Sequence, residues 1–598
     1  MLSFIMTKNK KRKDNIMGIF EIITLLGGLA IFLFGMDVMG AGLERRGGGK
    51  LKSILESMTS NRFKGILLGA GVTSIIQSSS ATTVMAVGFV NSGIMKLKQA
   101  IGVIMGANIG TTITAWLLSL TGIEGNNPVM QFLKPSVFSM ILALIGIVLI
   151  MFFNEQKKKD TGSILVGFAV LMVGMDMMSG SVEGLRGNET FTSILTLFNN
   201  PLFGILAGAV LTAIIQSSSA SVGILQALST TGNIYYSNAI PIIMGQNIGT
   251  CVTALLSSIG ANKNAKRVAV VHLSFNIIGT LCFMAVFYAI QYLVGIPFFN
   301  EPINAAGIAA VHTVFNIFAT VVMVPFVNQL EKLSMFIVKD NKQVQTETII
   351  DERLLTTPPV AIAQAKKIAD KMASVAKEAF VSSLALVGNY DSQKATEIRE
   401  LESKADKYED VLGTFLVKLS RESLSTEDSR EISNLLHCIG DFERISDHAV
   451  NIVQSAEEIA DKKIVFSGEA RAELDVAKKA LEEILDNTCK AFTGEDIKLA
   501  EKIEPLEQVI DGLKLKMRSN HIERLQNNNC TIETGFVFSD LITNMERAAD
   551  HCSNIGVCLI SVSHDSFDTH SYLRHIKEEG GTNFTANYDA YKEKYYIA

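Results

Sequence analysis

The sequence predicts an all-α protein. It joins a polytopic membrane part, built from inverted repeats with broken or re-entrant helices, to a soluble pair of three-helix bundles. Three observations favour this class: a mean hydropathy of +0.29 with only 19% charged residues, apolar runs that end near residue 331, and charges at helical spacing beyond it. The net charge of −5 does not suit a nucleic-acid-binding protein, so nucleic acid is not expected among the partners.

The changes in composition predict six segments. They are a basic N-terminal extension (1–17), a first membrane repeat (18–153), a second membrane repeat with a final span (154–330), a linker (331–344), a cytoplasmic helical domain (345–570) and a tail (571–598). Seven cysteines without a C-x-x-C pair do not indicate a disulfide framework, which agrees with a reducing interior.

Seven apolar runs in the membrane part are long enough to cross about 30 Å of hydrocarbon as helices. They are 19–43, 98–121, 130–153, 162–182, 239–259, 268–293 and 305–328. Two further segments, 63–95 and 202–234, are interrupted by the string Gln-Ser-Ser-Ser, and we expect broken or re-entrant helices there.

The membrane part contains an internal repeat with an offset of 139 residues. Residues 61–81 align without a gap on residues 200–220, and the string Gly-Ala-Asn-Ile-Gly-Thr-Thr at 106–112 aligns on Gly-Gln-Asn-Ile-Gly-Thr-Cys at 245–251. A constant offset over this distance indicates duplication.

Loop charge predicts that the two copies have opposite orientations. Residues 122–129 carry no Lys or Arg, whereas the equivalent segment carries Lys263, Lys266 and Arg267. The basic residues at 8–13 conflict with the outside position that this topology gives the N-terminus, so the side of the N-terminus stays open, as does a start at Met17.

The two Gln-Ser-Ser-Ser strings place amide and hydroxyl groups inside apolar sequence, where unpaired polar groups are costly. They are either hydrogen-bonded contacts between helices or an anion site at the ends of broken helices; their duplication favours the second. No Lys or Arg occurs between Gly65 and Ile94 or between Gly204 and Asn238, so a bound phosphate requires a co-bound cation, for which neutral oxygens favour Na⁺.

These repeated strings, over roughly 18–330, resemble those of the bacterial type II sodium/phosphate cotransporters. The resemblance implies sodium-coupled symport of inorganic phosphate across the plasma membrane by alternating access, with Na⁺ as the coupling ion and the lipid bilayer as the surroundings. It implies substrate and sodium roles for Gln77, Ser78, Ser79, Ser80, Gln216, Ser217, Ser218 and Ser219, and weaker ones for Asn108, Thr111, Thr112, Asn247 and Thr250. Cys251 departs from the Thr112 of the first copy.

Two other functions stay open for this part: a membrane-tethered phosphate-signalling protein, or an exporter or carrier of another oxyanion. No nucleotide-binding or hydrolase motif stands out, so an enzyme is not expected. Glycines at every fourth position, Gly102, Gly106 and Gly110, favour close helix packing over a phosphate cradle. For His272 and His312, which occur in similar strings, hydrogen-bonded structural roles are favoured.

The soluble part is also duplicated: residues 441–452 align on residues 544–555. Glu443 with Asp447, and Glu546 with Asp550, lie at i and i+4 and share a helix face. The region 345–570 resembles the PhoU family, some of whose members bind metal clusters through such motifs. The resemblance implies a metal ion on these four carboxylates and a sensing or regulatory role. Arg444 and Arg547 offer the alternative of ion pairs with the carboxylates.

Overall fold

The computed structural model describes residues 18–56, 62–93, 95–120, 135–186, 197–339, 349–422, 424–563 and 582–597, together with Ser193 and Leu195. The chain divides into two compact units, Met1–Val360 and Ala361–Ala598. Apart from an isolated bridge between Tyr235 and Pro302, the regular structure of the described residues is helical, which confirms the all-α class.

Within its described residues, the first repeat contains five helices. They are α1 (Ile19–Glu56), α2 (Arg62–Ile76), α3 (Ser79–Asn91), α4 (Leu97–Ser119) and α5 (Pro135–Phe152). The predicted interruption of 63–95 is the break between α2 and α3 at Gln77 and Ser78.

The helices of the second repeat follow the same order. They are α6 (Gln156–Val182), α7 (Pro201–Ile215), α8 (Ser218–Ser229), α9 (Tyr236–Gly249), α10 (Cys251–Ser257) and α11 (Lys263–Leu293). After the second repeat, the first unit continues with α12 (Ala305–Met323) and α13 (Val327–Ile337).

Six of the seven predicted spans are helices long and apolar enough to cross a membrane, judged by length and composition. The run predicted at 130–153 is shorter in the described residues, where Val137–Phe152 is an apolar helix of fewer than 18 residues. Burial distinguishes the spans: 78% of the apolar window in Leu97–Ser119 is buried, against 17% in Ile19–Arg46. Helix α4 therefore lies inside the unit, and α1 exposes its apolar side chains.

Equivalent helices α1 and α6 pack against each other in opposite directions. A Cβ on Gly35 would overlap the backbone of Leu171, and a Cβ on Gly174 would overlap the backbone of Phe32. Phe32 and Leu171 are themselves equivalent at the 139-residue offset. Because the contacts move up one helix as they move down the other, the two copies are related by an approximate two-fold axis, as inverted repeats require.

Helices α2 and α4 run in the same direction at backbone contact. Cβ atoms on Gly102, Gly106 and Gly110 would approach or overlap the carbonyl oxygens of Arg62, Ile66 and Ala70 in turn, which confirms the predicted packing stripe. Since α2 and α4 are parallel, α3 returns the chain to the side from which α2 started. The broken pair is re-entrant, and α7 and α9 make the equivalent contacts at Gly208 and Gly245.

In the part of the second unit that the structure describes, six long helices lie close to those expected from the 3.6-residue period. They are α14 (Pro358–Leu386), α15 (Ser392–Leu419), α16 (Thr426–Asp461), α17 (Gly468–Gly494), α19 (Ile503–Gln526) and α20 (Ile532–Ser563), with the short α18 (Ile497–Ala500) before α19. Buried Phe442 of α16 packs edge-on against Phe492 of α17, with ring centroids 5.0 Å apart.

The predicted tail includes a helix, α21 (Thr582–Lys594), that packs on this unit. Lys594 Nζ lies 2.7 Å from Glu483 Oε2, and the hydroxyl of Tyr595, a buried residue, donates a hydrogen bond to the same carboxylate. Residues 571–581 lie outside the described residues.

Candidate functional site

Each membrane repeat breaks its helix with the same backbone geometry. Gln77 and Gln216 both have φ of 57°, in the left-handed region that ends helices, and the N–H of each bonds the carbonyl four residues earlier at 2.7 Å. Ser78 and Ser217 are extended and act as N-caps of the following helices, accepting from Ala81 N at 3.1 Å and Ala220 N at 3.2 Å.

The N-caps leave two backbone N–H groups without a partner within the helix at the start of α3 and of α8. Ser78 takes the N–H groups of Ala81 and Thr82, through its hydroxyl and its carbonyl. The N–H groups of Ser79 and Ser80 therefore have no partner within the helix and lie at its positive end, a geometry suited to an anion. Helix α8 presents Ser218 and Ser219 in the same way, and both are buried.

In the first repeat, four polar side chains around the break are paired: those of Thr73, Gln77, Thr82 and Thr114. The Gln77 side chain is buried, donates from Nε2 to Ser74 O at 2.5 Å and accepts at Oε1 from Thr114 Oγ1 at 2.9 Å. Thr73 Oγ1 donates to Thr82 Oγ1 at 3.0 Å, which ties α2 to α3. This half of the site is closed by its own hydrogen bonds.

In the second repeat, the equivalent pairs are open. Gln216 is exposed, and Thr253, the equivalent of Thr114, has a buried Oγ1 without a hydrogen-bond partner among the described residues. Thr212 Oγ1 and Ser221 Oγ, the equivalents of the Thr73 and Thr82 hydroxyls, are likewise buried and unpaired. The amide oxygen of Gln246 is also unpaired, although its Nε2 donates to Ser221 O at 2.9 Å.

The weaker candidates fall into two groups. The hydroxyls of Thr111, Thr112 and Thr250 donate to backbone carbonyls of their own helices at 2.6–3.0 Å, so these groups are occupied locally. Asn108 and Asn247 instead make contacts between helices.

Those asparagines form a polar chain that joins the repeats. Asn108 Nδ2 donates to Asn276 Oδ1 at 2.8 Å, and Asn276 Nδ2 donates to Cys251 Sγ at 3.3 Å. Asn247 Oδ1 lies 3.3 Å from His312 Nε2. The replacement of Thr by Cys at 251 thus places a sulfur acceptor beside Asn276.

Sequence reasoning missed Asn276 as the polar partner of Asn108 and Cys251. The string Val-His-x-x-Phe-Asn, which occurs at 271–276 and again at 311–316, is the signal that carries it. The prediction of a hydrogen-bonded role is confirmed for His312 but is wrong for His272, whose two ring nitrogens are buried without a partner among the described residues. His272 is 1% exposed, and a sequence pattern does not reveal this burial.

In the second unit, carboxylates gather around Glu443 and Asp447. Burial and the adjacent Asp447 raise the pKa of Glu443 to about 7. Glu402 and Glu409 of α15 belong to the same cluster: burial and Asp447 raise the pKa of Glu402, and Glu409 adds to the effect on Glu443. The donor set of this first acidic cluster suits a hard cation.

The second acidic cluster already holds a cation of its own. Lys514 Nζ lies 2.8 Å from Glu546 Oε2, and burial followed by Glu546 raises the pKa of Asp550. Arg547 lies 3.7 Å from Asp550, so the ion-pair alternative fits this copy. As the side chains stand, no three His, Cys, Asp or Glu residues among those described are arranged to hold a metal ion.

Each copy of the repeated motif has a histidine that contacts a residue of the other copy. His448 Nδ1 lies 2.9 Å from Asn544 Oδ1, and His551 Nδ1 lies 2.9 Å from Asp441 Oδ1, while the two rings stack at 5.7 Å. They border a cavity of about 540 Å³ lined by Glu443, Arg444, Asp447, His448, Asn451, Arg547 and His551.

Comparison with known proteins finds two kinds of domain. A family model described as Na⁺/Pi-cotransporter matches residues 31–180 and 170–300, and a PhoU domain model matches residues 369–456 and 476–558. Each model matches twice, in agreement with the two duplications.

Three proteins illustrate the similarity. A protein named as an inorganic phosphate export protein, YjbB of Escherichia coli (strain K12), is 24% identical over 535 residues, which span 88% of this chain and 95% of that protein. Sodium-dependent phosphate transport protein 2B of Homo sapiens is 37% identical over 105 residues, which are 17% of this chain and 15% of that protein. The crystal structure of PhoU from Pseudomonas aeruginosa covers 36% of this chain and 98% of that chain, with 18% identity and a TM-score of 0.30.

Proposed function

Because the chain carries a Na⁺/Pi-cotransporter domain followed by a PhoU domain, we propose that it carries inorganic phosphate across the cell membrane together with Na⁺, by alternating access. The PhoU domain regulates this transport from the cytoplasm. The function is movement of the ion across the bilayer; no covalent chemistry is involved.

The observation that carries the proposal is the pair of matched breaks at Gln77 and Gln216. Each supplies serine hydroxyls and N–H groups at a helix N-terminus, which suit a phosphate oxyanion. Because no Lys or Arg occurs between Gly65 and Ile94 or between Gly204 and Asn238, a cation must accompany the anion.

Sodium is the cation that the unpaired oxygens favour. Thr212, Ser221 and Thr253 offer buried hydroxyl oxygens, and Gln246 offers an amide oxygen. These neutral oxygens are hard ligands of the kind that bind Na⁺ beside broken helices. Import of two negative charges into an inside-negative cell costs about 4.6 kcal/mol at 100 mV, and entry of Na⁺ offsets this cost.

Uptake of labelled phosphate into proteoliposomes tests the proposal. A Na⁺ gradient directed inward should drive concentrative uptake, a K⁺ gradient should not, and Gln77→Ala with Gln216→Ala should abolish the difference. Protein that binds phosphate without moving it would instead favour the membrane-tethered signalling alternative. Absence of both binding and uptake would contradict the proposal.

A second candidate is net export of phosphate. The relative named as an export protein aligns over 88% of this chain, whereas the named sodium-dependent human transporter aligns over 17%. Without sodium coupling, an inside-negative potential itself drives phosphate outward. Vesicles loaded with labelled phosphate decide between the two: efflux that rises with an inside-negative K⁺ diffusion potential, and that is indifferent to Na⁺, favours the exporter.

A further inference from the structure

Residues 349–357, here called the connector, lie on the first unit and lead directly into α14, which begins at Pro358. The connector contains a 3₁₀ turn, Glu352–Thr356, capped by Asp351, whose Oδ1 accepts from Arg353 N at 2.9 Å. Asp351 is 4% exposed and also pairs with Arg353 Nη1 at 2.8 Å. This carboxylate is thus buried with its donors around it.

The connector is attached to the far end of α3. Asn91 Nδ2 donates to Asp351 Oδ2 at 2.5 Å. Leu354 is fully buried, and a Cβ placed on Gly88 would lie 3.3 Å from its Cδ2 atom. The bare surface at Gly88 therefore accommodates the leucine of the connector.

The same connector is attached to the second repeat. Arg353 Nε donates to Ser257 O at 2.7 Å and Nη2 donates to Ile259 O at 3.2 Å, so its guanidinium caps the end of α10. Asn262, the N-cap of α11, donates from its N–H to Asn91 Oδ1 and from Nδ2 to Asn91 O, each at 2.7 Å. Asp351, Arg353 and Asn91 thereby join the two repeats.

Both attached helices begin at the candidate transport site. Helix α3 starts at Ser79, and its 13 residues span about 20 Å, so Asn91 lies at the opposite end from the Gln-Ser-Ser-Ser string. Helix α10 starts at Cys251, the last residue of the second repeat's Gly-Gln-Asn-Ile-Gly-Thr-Cys string. A change at the connector reaches both strings through single helices.

We propose that the connector is a clamp through which the PhoU domain controls transport, an inference that rests on the proposed function. With the connector seated, α3 of the first repeat is tied to the α10–α11 turn of the second, and movement of one repeat relative to the other is slowed. A displacement of α14 by the PhoU domain moves Asp351, Arg353 and Leu354 out of these contacts, and the two repeats are then free to move relative to each other. Transport is therefore slow while the connector is seated and faster when it is released.

Three substitutions in the full chain test the clamp. Arg353→Ala removes the cap of α10, Asp351→Asn weakens the ion pair, and Gly88→Val displaces Leu354 without a change in charge. Arg186→Ala, at an exposed arginine of the same unit, is the matched control. Amide hydrogen exchange at 88–92 and 258–262 and maximal phosphate flux are measured on the same reconstituted proteins.

We expect exchange at both segments to rise by about tenfold in the three variants, because Arg353→Ala and Asp351→Asn each weaken hydrogen bonds to a charged group and Gly88→Val overpacks the Leu354 contact. Maximal flux should rise by up to about the same factor. The apparent affinities for Na⁺ and phosphate should stay at wild-type values. Unchanged exchange in all three variants would overturn the clamp, as would flux that is unchanged or lower while exchange rises. A wild-type protein without phosphate flux would contradict the proposed function instead, so the two failures are separate results.

Discussion

Gln77 and Gln216 share a left-handed backbone, with φ of 57° in both, but only Gln77 is buried and hydrogen-bonded to a threonine of the next span. The first repeat is therefore closed around its break and the second is open. In a carrier of inverted repeats, the two copies exchange such states when the site turns from one side of the membrane to the other.

We expect Gln77→Ala and Gln216→Ala each to weaken sodium-dependent phosphate transport, by roughly 10-fold to 150-fold in affinity, because under the proposed function each side-chain amide contacts a bound ion during the transport cycle. Their effects on stability should differ. Gln77→Ala also leaves Thr114 unpaired and should lower the free energy of unfolding by about 1–3 kcal/mol, whereas Gln216 is exposed and its loss should leave stability unchanged.

Thermal unfolding in detergent and uptake in proteoliposomes measure the two effects, with Gln393→Ala on an exposed face of α15 as the control. Wild-type affinities for both ions in the two variants would reject the paired site and favour simple helix contacts. Equal losses of stability in Gln77→Ala and Gln216→Ala would contradict the difference between a closed first repeat and an open second repeat.

Gly69→Ala should destabilise the first unit, and Gly71→Ala on the same helix should not. A Cβ on Gly69 would overlap the carbonyl of Val103, whereas a Cβ on Gly71 meets nothing within 4 Å. Overpacking costs about 1–3 kcal/mol, while the change from Gly to Ala on an open helix face gains about 0.5–1 kcal/mol. Melting temperatures of the two variants provide the comparison, and equal shifts would mean that α2 and α4 are not in backbone contact.

Cysteines introduced at Asn126 and Asn264 should be labelled from opposite sides of the membrane. Asn264 is exposed in the first turn of α11; Asn126 lies outside the described residues, and its position is expected from the inverted repeat alone. Labelling by a membrane-impermeant maleimide, applied to intact cells and to inverted vesicles, shows on which side of the membrane each cysteine lies. Labelling of both positions from one side would exclude the inverted topology.

Two truncations should differ in transport rate. A chain without 345–598 retains every candidate transport residue and should keep sodium-dependent uptake, and it also lacks the connector. A chain that ends at Thr357 keeps Asp351 and Arg353 and should be slower. Initial uptake rates, normalised to the amount of membrane-inserted protein, test this; complete loss of uptake in both would place the PhoU domain within the transport mechanism.

A metal ion should bind more tightly to the first acidic cluster than to the second. Lys514 pairs with Glu546, and at the offset of 105 residues the first copy has Glu409 in its place. Metal content of the purified chain after incubation with Mn²⁺ should fall strongly in Glu443→Gln and little in Glu546→Gln, and Lys514→Ala should raise it. An equal fall in both glutamine variants would show that the lysine does not compete with the metal.

Patterns that depend on neighbouring residues were predictable from the sequence. The six long helices of the second unit follow from apolar residues at i, i+3 and i+4, and the breaks at Gln77 and Gln216 follow from polar strings in apolar runs. For the span predicted at 130–153, the described part is the helix Pro135–Phe152, and residues 130–134 lie outside the described residues, so its start stays a prediction.

The differences between the copies were not predictable. The strings around Gln77 and Gln216 are nearly identical, yet Thr114 reaches one amide and Thr253 does not reach the other, since packing between distant helices sets those distances. The connector contacts were hidden for the same reason: Asn91 and Asp351 are 260 residues apart. By contrast, the sequence does show that Glu409 of the first acidic cluster aligns on Lys514 at the offset of 105 residues.

The glycine contacts between α2 and α4 have a mechanical consequence. The carbonyl of Ile66 lies against Gly106 and the carbonyl of Ala70 lies against Gly110. At these contacts backbone meets backbone, so no flexible side chain can adjust to a displacement of one helix along the other. We therefore expect the two helices to move together as one rigid body, and we expect changes in backbone angle in each repeat to be concentrated at the helix break, Gln77 or Gln216.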